Sequence, residues 1–268
     1  MTTHKIYNEN CFDTLKRLSD EGKKVNVILT SPPYNTARCV NTERSREILN
    51  QRYDIHFDNM TDEEYHSWTK DLFEEFDKVL EKNGVILYNI SYGSENPNAM
   101  WEAVEAIRST NFMIADTIIW KKSSALPNNT SSNKLTRIVE YVFVICRKNE
   151  FDTFQANKAT KSVSSRGQKY YENIFNFIEA PNNDGPCKLN KATYSSDLVL
   201  NLLNIYARSN DVVYDPFMGT GTTVIGCLKY NNGDNDIVCI GSELSEGQIE
   251  FAENRIGEFK AKKDETLF

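Results

Sequence analysis

The sequence predicts an α/β protein built on a doubly wound, Rossmann-like sheet whose strands are circularly permuted. Three observations carry this expectation. Apolar runs of strand length, at 25–29, 85–90 and 212–214, alternate with stretches of helical period. One of them, Val212-Val213-Tyr214, runs into Asp215, a Gly219-x-Gly221 turn and a helix start, the layout of a nucleotide-type site at the first strand of such a sheet. That first strand stands near the end of the chain, so the order of the two halves is exchanged.

The remaining elements follow in order. Residues 4–7 form a short strand candidate, and Phe12, Leu15 and Leu18 are spaced for a helix. After the 25–29 strand comes Thr30-Ser31-Pro32-Pro33-Tyr34-Asn35, a stiff turn, because two prolines can neither extend a ladder nor enter a helix interior. Residues 35–59 lack an apolar period and carry Arg38, Arg44, Arg46 and Arg52, which reads as a loop that closes over a ligand or as a solvated one. Thr61-Asp62-Glu63-Glu64 is a capping box opening a helix with Tyr65, Trp68, Leu72, Phe76 and Leu80 on its core face and a stop at Asn83-Gly84. A strand at 85–90, a helix at 100–107 and strands at 114–120 and 141–146 continue the alternation. Residues 149–188 lose it and form a small inserted region. A helix through Leu203, the 212–214 strand, a helix capped by Thr222 or Thr223, a strand at 237–243 and a helix from Ser245 to about Phe259 complete the chain.

Bulk properties restrict the class. The 268 residues suffice for one sizeable core, and 40% hydrophobic with 26% charged residues is ordinary for a globular domain, so 1–268 is read as a single domain. No apolar run approaches the roughly 18 residues of a membrane span, and Met1 to Lys5 open no signal peptide, so a cytoplasmic protein is expected. The six cysteines include no C-x-x-C pair and read as free thiols. His4, His56 and His66 have no ligand spacing, so no metal is expected. The net charge of −7 is unevenly spread: residues 120–191 hold twelve Lys or Arg against six Asp or Glu, a surplus of +6 that leaves −13 elsewhere. A basic segment on an acidic body docks phosphate locally while the body repels it.

Two motifs carry chemistry. In the first, carbonyls and the Ser31 hydroxyl beside the Tyr34 ring suit a planar ring bearing an amino group, such as a nucleobase. A plain strand-ending turn fits those residues equally well on their own. In the second, the glycines admit a ligand close to the backbone. The match to G-x-G-x-x-G fails because the third glycine comes late, at Gly226, and no Gly-Lys-Ser/Thr follows to make a P-loop. Glu243, at the end of the next strand, can accept both hydroxyls of a ribose, while Asp215 suits an ammonium. Ribose, adenine and a cationic amino acid together describe S-adenosylmethionine.

Thr30-Ser31-Pro32-Pro33-Tyr34 and Asp215-Pro216-Phe217-Met218-Gly219-Thr220-Gly221-Thr222-Thr223 resemble the catalytic and cofactor motifs of the DNA amino-methyltransferases of restriction-modification type. Their order resembles the β class, and the likeness covers most of the chain. The resemblance implies a methyltransferase sheet, S-adenosylmethionine as cofactor, duplex DNA as partner, and a cognate restriction endonuclease as a further one. It implies catalysis by Ser31, Pro32, Pro33 and Tyr34. Cofactor binding falls to Asp215, Pro216, Phe217, Gly219, Thr220, Gly221, Thr222 and Glu243. Asn10 and Cys11 border the adenine or form an ordinary turn. Arg137 and Glu140 line the target-base pocket or make a structural pair. The target-recognition region falls at 149–188, where Lys158, Lys161, Arg166 and Lys169, together with Arg38, are DNA-binding candidates. Residues 191–198 resemble the segment beside the methionine part of the cofactor, with Asn190 or Lys191 and Ser195 or Ser196 replacing the family's frequent His and Pro. Ser31 in place of an acidic residue points to cytosine N4, with adenine N6 as the alternative. A dehydrogenase lacks the Ser-Pro-Pro-Tyr motif, and an inactive DNA-binding relative is expected to lose Tyr34 or Gly219, both present here.

Overall fold

The computed structural model describes residues 3–35, 60–93, 96–154, 156–185, 187, 189–190, 193–231 and 236–265. Strands β1 (His4–Tyr7), β2 (Val25–Thr30), β3 (Leu80–Ile90), β4 (Phe112–Lys122), β5 (Val139–Arg147), β8 (Phe177–Ala180), β9 (Val212–Asp215) and β10 (Val238–Ser242) form one sheet in the order β1-β10-β9-β2-β3-β5-β4-β8. β6 (Thr160–Val163) and β7 (Lys169–Tyr171) pair separately as an antiparallel ribbon. Helices α1 (Cys11–Asp20), α2 (Asp62–Val79) and α3 (Ala99–Ser109) cover one face; α4 (Ser196–Tyr206), α5 (Thr222–Tyr230) and α6 (Glu246–Glu265) cover the other.

The strands are apolar along their length because both faces are buried, yet the two-residue period still sorts them. Val27, Leu29, Val85, Leu87, Val142, Val144 and Val213 face α4–α6, whereas Ile28, Ile86, Tyr88, Phe143, Ile145 and Tyr214 face α1–α3. Gly226 lets α5 lie directly on α4: a Cβ there would stand 2.2 Å from Val199 Cγ1.

The doubly wound α/β sheet is as expected, mostly parallel, with β5 running antiparallel to both β3 and β4. Residues 123–138 return from β4 without a helix, and a direct return makes antiparallel neighbours. Two local expectations are corrected, the end of α2 and the cap of α5. Helix α2 stops at Val79, not at Asn83-Gly84, because Arg147 takes up the carbonyls of Asp77, Leu80 and Glu81 at 2.9, 2.8 and 3.1 Å. Asn83, at φ 60°, instead lies within a bulge where pairing jumps from Val25↔Leu80 to Val27↔Val85. Neither Thr222 nor Thr223 caps α5: Gly221 does so at φ 79° without a side-chain bond, and both threonines lie inside the helix. Helix α4 starts at Ser196, capped by Ser195. Of residues 149–188, the ribbon forms its own small sheet, whereas β8 is the edge of the main sheet against β4. Among the described residues no helix is long and apolar enough to cross a membrane, and no group of His, Cys, Asp and Glu could hold a metal ion.

Candidate active site

The chain reverses its winding between β9 and β2, which are parallel neighbours in the middle of the sheet. A crevice at the carboxyl ends of such strands is where open α/β sheets bind ligands. Both motifs end there. Thr30 Oγ1 donates to Asp215 Oδ1 at 2.9 Å, tying positions 185 residues apart. The Phe217 amide (3.0 Å), Tyr194 Oη (3.1 Å) and Thr223 Oγ1 also donate to Asp215. Desolvation raises the Asp215 pKa although these donors oppose it. The carboxyl has no exposed surface, and its four donors leave no free acceptor for the ammonium expected of it: its oxygens fasten the end of β9 to the Thr30–Asn35 turn.

The second motif folds into a tight loop. Gly219 and Gly221 hold φ 54° and 79°, which only glycine adopts cheaply. A Cβ on Gly219 would press on Asn190 Nδ2 and Gln248 Oε1 at 3.2 and 3.3 Å, and one on Gly221 would meet Ala252 Cβ at 3.0 Å. The Gly219 amide donates to Glu243 Oε2 and the Ser245 amide to Oε1, both at 2.9 Å. These bonds aim a carboxylate at the loop. Arg255 steadies the loop from α6, donating to the Thr220 carbonyl and Thr222 Oγ1 at 3.1 Å while pairing with Asp184. Pro216, Thr220 and Thr222 are buried, and Phe217 is half-buried. Asn10 caps α1 by accepting the Phe12 amide at 3.0 Å. Cys11 is buried, its thiol pushed up to about 12 by desolvation. Asn8 lies nearer the loop, donating to the carbonyls of Glu243 and Leu244 at 3.0 Å.

The Thr30–Asn35 turn builds a polar cluster. Ser31 Oγ and Tyr34 Oη are 2.8 Å apart, Tyr34 Oη donates to Glu140 Oε2 at 3.0 Å, and Asn89 Nδ2 reaches Tyr34 Oη at 2.7 Å and Glu140 Oε2 at 3.1 Å. Lys122 Nζ lies 2.7 Å from Glu140 Oε1. Glu140 therefore pairs with Lys122, and Arg137 stacks over the Tyr92 ring at 5.3 Å. A direct Arg137–Glu140 pair is corrected by this geometry. Pro32 is buried, and the Pro33 carbonyl accepts Tyr65 Oη at 2.9 Å. Trp68 stacks on Tyr65 and tilts against Phe217, with centroids 5.9 and 5.7 Å apart, so the α2 aromatics join the core to the rim of both motifs. Asn35, at φ 53°, exchanges bonds of 3.1 and 2.9 Å with Met60.

Lys158, Lys161, Arg166 and Lys169 are all exposed, the last three on or between β6 and β7. Tyr170 and Tyr171 are half exposed beside them. Arg38, Arg44, Arg46 and Arg52, with most of the 35–59 loop, lie outside the described residues. Sequence reasoning missed Asn89, Lys122 and Arg255, read Trp68 as a core residue only, and included Tyr194 only within the 191–198 segment. A polar residue closing an otherwise apolar strand is the signal that marks Asn89 and Lys122.

Fold and site together define a Rossmann-like α/β protein that sets a tight glycine loop beside a turn of hydrogen-bond acceptors and an aromatic ring. The chain belongs to the DNA methylase family, whose model matches residues 25–254. It is 24% identical to the type II methyltransferase M.MthZI of Methanothermobacter thermautotrophicus over 289 aligned positions, covering 96% of this chain and 77% of that one. The crystal structure of the M1.HpyAVI-SAM complex shares the fold with a TM-score of 0.61 at 20% identity, covering 94% of this chain and 99% of that one. The PvuII DNA methyltransferase (cytosine-N4-specific) shares it with a TM-score of 0.65 at 15% identity, covering 94% and 86%.

Proposed function

We propose that this protein moves the methyl group of S-adenosylmethionine to the exocyclic amino nitrogen of a base flipped out of duplex DNA, and that the base is cytosine, modified at N4. The observation that carries the reading is the Thr30–Asp215 bond, which fixes the acceptor turn against the glycine loop. The loop suits the cofactor: Gly219 and Gly221 keep it tight at φ 54° and 79°, and Glu243 stands at the strand end where a ribose is held, its carboxylate set by the Gly219 amide. When bound, S-adenosylmethionine supplies an electrophilic methyl group on a sulfonium. Glu243 binds the ribose hydroxyls, and Phe217 and the loop backbone position the cofactor. An exocyclic amine is a poor nucleophile because its lone pair is delocalised into the ring. Ser31 Oγ and the Pro32 carbonyl, accepting its two hydrogens, favour a pyramidal nitrogen, and Tyr34 stacks on the ring, so positioning replaces a strong base. The amine is paired within the duplex, hence the flip. Ser31 in place of an acidic residue supports cytosine N4. The type II relatives support a restriction-modification system with a cognate endonuclease.

The test is nucleoside mass spectrometry of duplex DNA treated with purified protein and labelled cofactor. N4-methylcytosine is the expected product, and N6-methyladenine alone would reverse the choice of base. The ribbon and its flanks dock the phosphates in this reading. Changing Lys158, Lys161 and Lys169 together to alanine should weaken DNA binding about tenfold and flatten its salt dependence, with cofactor affinity unaltered. An unchanged salt slope in a fluorescence titration would move the interface away from the ribbon.

A further inference from the structure

The cluster around Tyr34 has a direction. Glu140, as a carboxylate, can only accept hydrogen bonds, and Lys122 can only donate them. Lys122 occupies Oε1 and leaves Oε2 for Tyr34 Oη and Asn89 Nδ2. The carboxylate also sets the Asn89 amide with its NH2 inward, because the opposite setting would bring Oδ1 against Glu140 Oε2, which can only accept. That leaves Asn89 Oδ1 buried and without a partner among the described residues. Tyr34 has one proton, and it goes to Glu140. The contact between Tyr34 and Ser31, at 2.8 Å, must then be donated by Ser31.

We infer that Glu140 is a positioning residue: acting through Tyr34, it turns the Ser31 hydroxyl away from the target base and leaves Ser31 as an obligate acceptor for the amino N–H. This rests on the proposed transfer to an exocyclic amine. A free serine hydroxyl donates as readily as it accepts, and a donor facing an NH2 group opposes the nitrogen. The chain from Ser31 through Tyr34 to Glu140 removes that ambiguity. It also supplies, at one remove, the negative charge that an acidic residue at position 31 would bring directly. Lys122 holds the far oxygen of the carboxylate and so keeps the chain pointed one way.

Glu140→Gln tests it in an Asn89→Leu background, where no Asn89 amide remains to turn its oxygen to Tyr34; the substitution keeps the shape of Glu140 and can reverse the chain. Lys122 will face the Gln carbonyl oxygen, so the amide NH2 will face Tyr34 and donate to it. Tyr34 then turns its proton to Ser31, and Ser31 presents its own to the base. Relative to Asn89→Leu alone, single-turnover methyl transfer should fall about ten- to a hundredfold, the scale for a partner that orients a contacting group, with cofactor and DNA affinities within about threefold. Adding Lys122→Met lets the Gln amide turn over, so its carbonyl again accepts from Tyr34. It should recover at least about fivefold of the lost rate. A merely structural role predicts no gain from Lys122→Met, and that result, or a Glu140→Gln change within about threefold of the Asn89→Leu background, overturns the inference. Wild-type protein that methylates no amine in any DNA would instead remove the reading on which it rests.

Discussion

Replacing Ser31 by alanine will slow methyl transfer by about a hundred- to a thousandfold, the range for removing one fixed hydrogen-bonding group at a reacting centre. The loss should appear in the single-turnover rate and not in cofactor affinity. The turn itself is held by other groups: Thr30 is bonded to Asp215, the Pro33 carbonyl to Tyr65, and Asn35 to Met60. Tyr34 keeps Asn89 and Glu140 when the serine hydroxyl is gone. Alanine therefore deletes an acceptor without moving its frame. Stopped-flow or quench-flow transfer of a labelled methyl group measures the effect. A rate within about fivefold of wild type would mean that the turn positions the base by its carbonyls alone.

Asp215→Ala will act on stability first. Three hydroxyls and one amide converge on a carboxyl with no exposed surface. Leaving buried donors unpaired costs about 1–3 kcal/mol each, and partial re-pairing of the hydroxyls brings the total to about 3 kcal/mol. That corresponds to a fall of roughly 6–12 °C in Tm for a domain of this size. Asp215→Asn adds a pH signature. Because the folded-state pKa is raised, chiefly by desolvation, the folded protein holds this proton more tightly than the unfolded chain does. Its contribution to stability is full below the ordinary aspartate value of 3.8 and is lost as pH rises through the raised one. Asparagine does not titrate, so the stability gap between the two proteins should narrow as pH rises across that window. Denaturant melts over a pH series measure it, and a widening gap would show that the four donors outweigh desolvation.

Much of the fold is legible because periodicity is local. Tyr65, Leu72 and Phe76 declare the core face of α2, and the capping box at Thr61 declares its start. Strand direction is not local: 141–146 is equally apolar whichever way it runs, so the antiparallel course of β5 emerges only from the connection before it. The end of α2 was hidden for a related reason. Asn83-Gly84 has the composition of a helix stop, yet Arg147, more than sixty residues on, supplies the partners that end the helix sooner. The site divides likewise. Ser31, Tyr34, Gly219 and Glu243 follow from motifs whose chemistry is contained within a few residues. The fate of Asp215 and the pairing of Glu140 depend on Thr30, Tyr194 and Lys122, which reach them only through the sheet.

Ladder pairing between strands far apart in the chain governs the sequence of events during synthesis. β1 leaves the ribosome more than two hundred residues before its ladder partner β10, with His4 opposite Cys239. β2 likewise gains β3 early but waits for β9 to close its other side. Until about residue 242 has emerged, β1 has no neighbour and β2 is an open edge with apolar side chains on both faces. Long-range parallel pairing of this kind folds slowly and exposes sticky edges meanwhile. A nascent chain stalled before Val212 should therefore hold α2, β3, β4 and β5 as a protease-resistant nucleus while β1 stays cleavable. The crevice for ligand then forms in the final step of folding, when β9 slots in beside β2 and Asp215 meets Thr30.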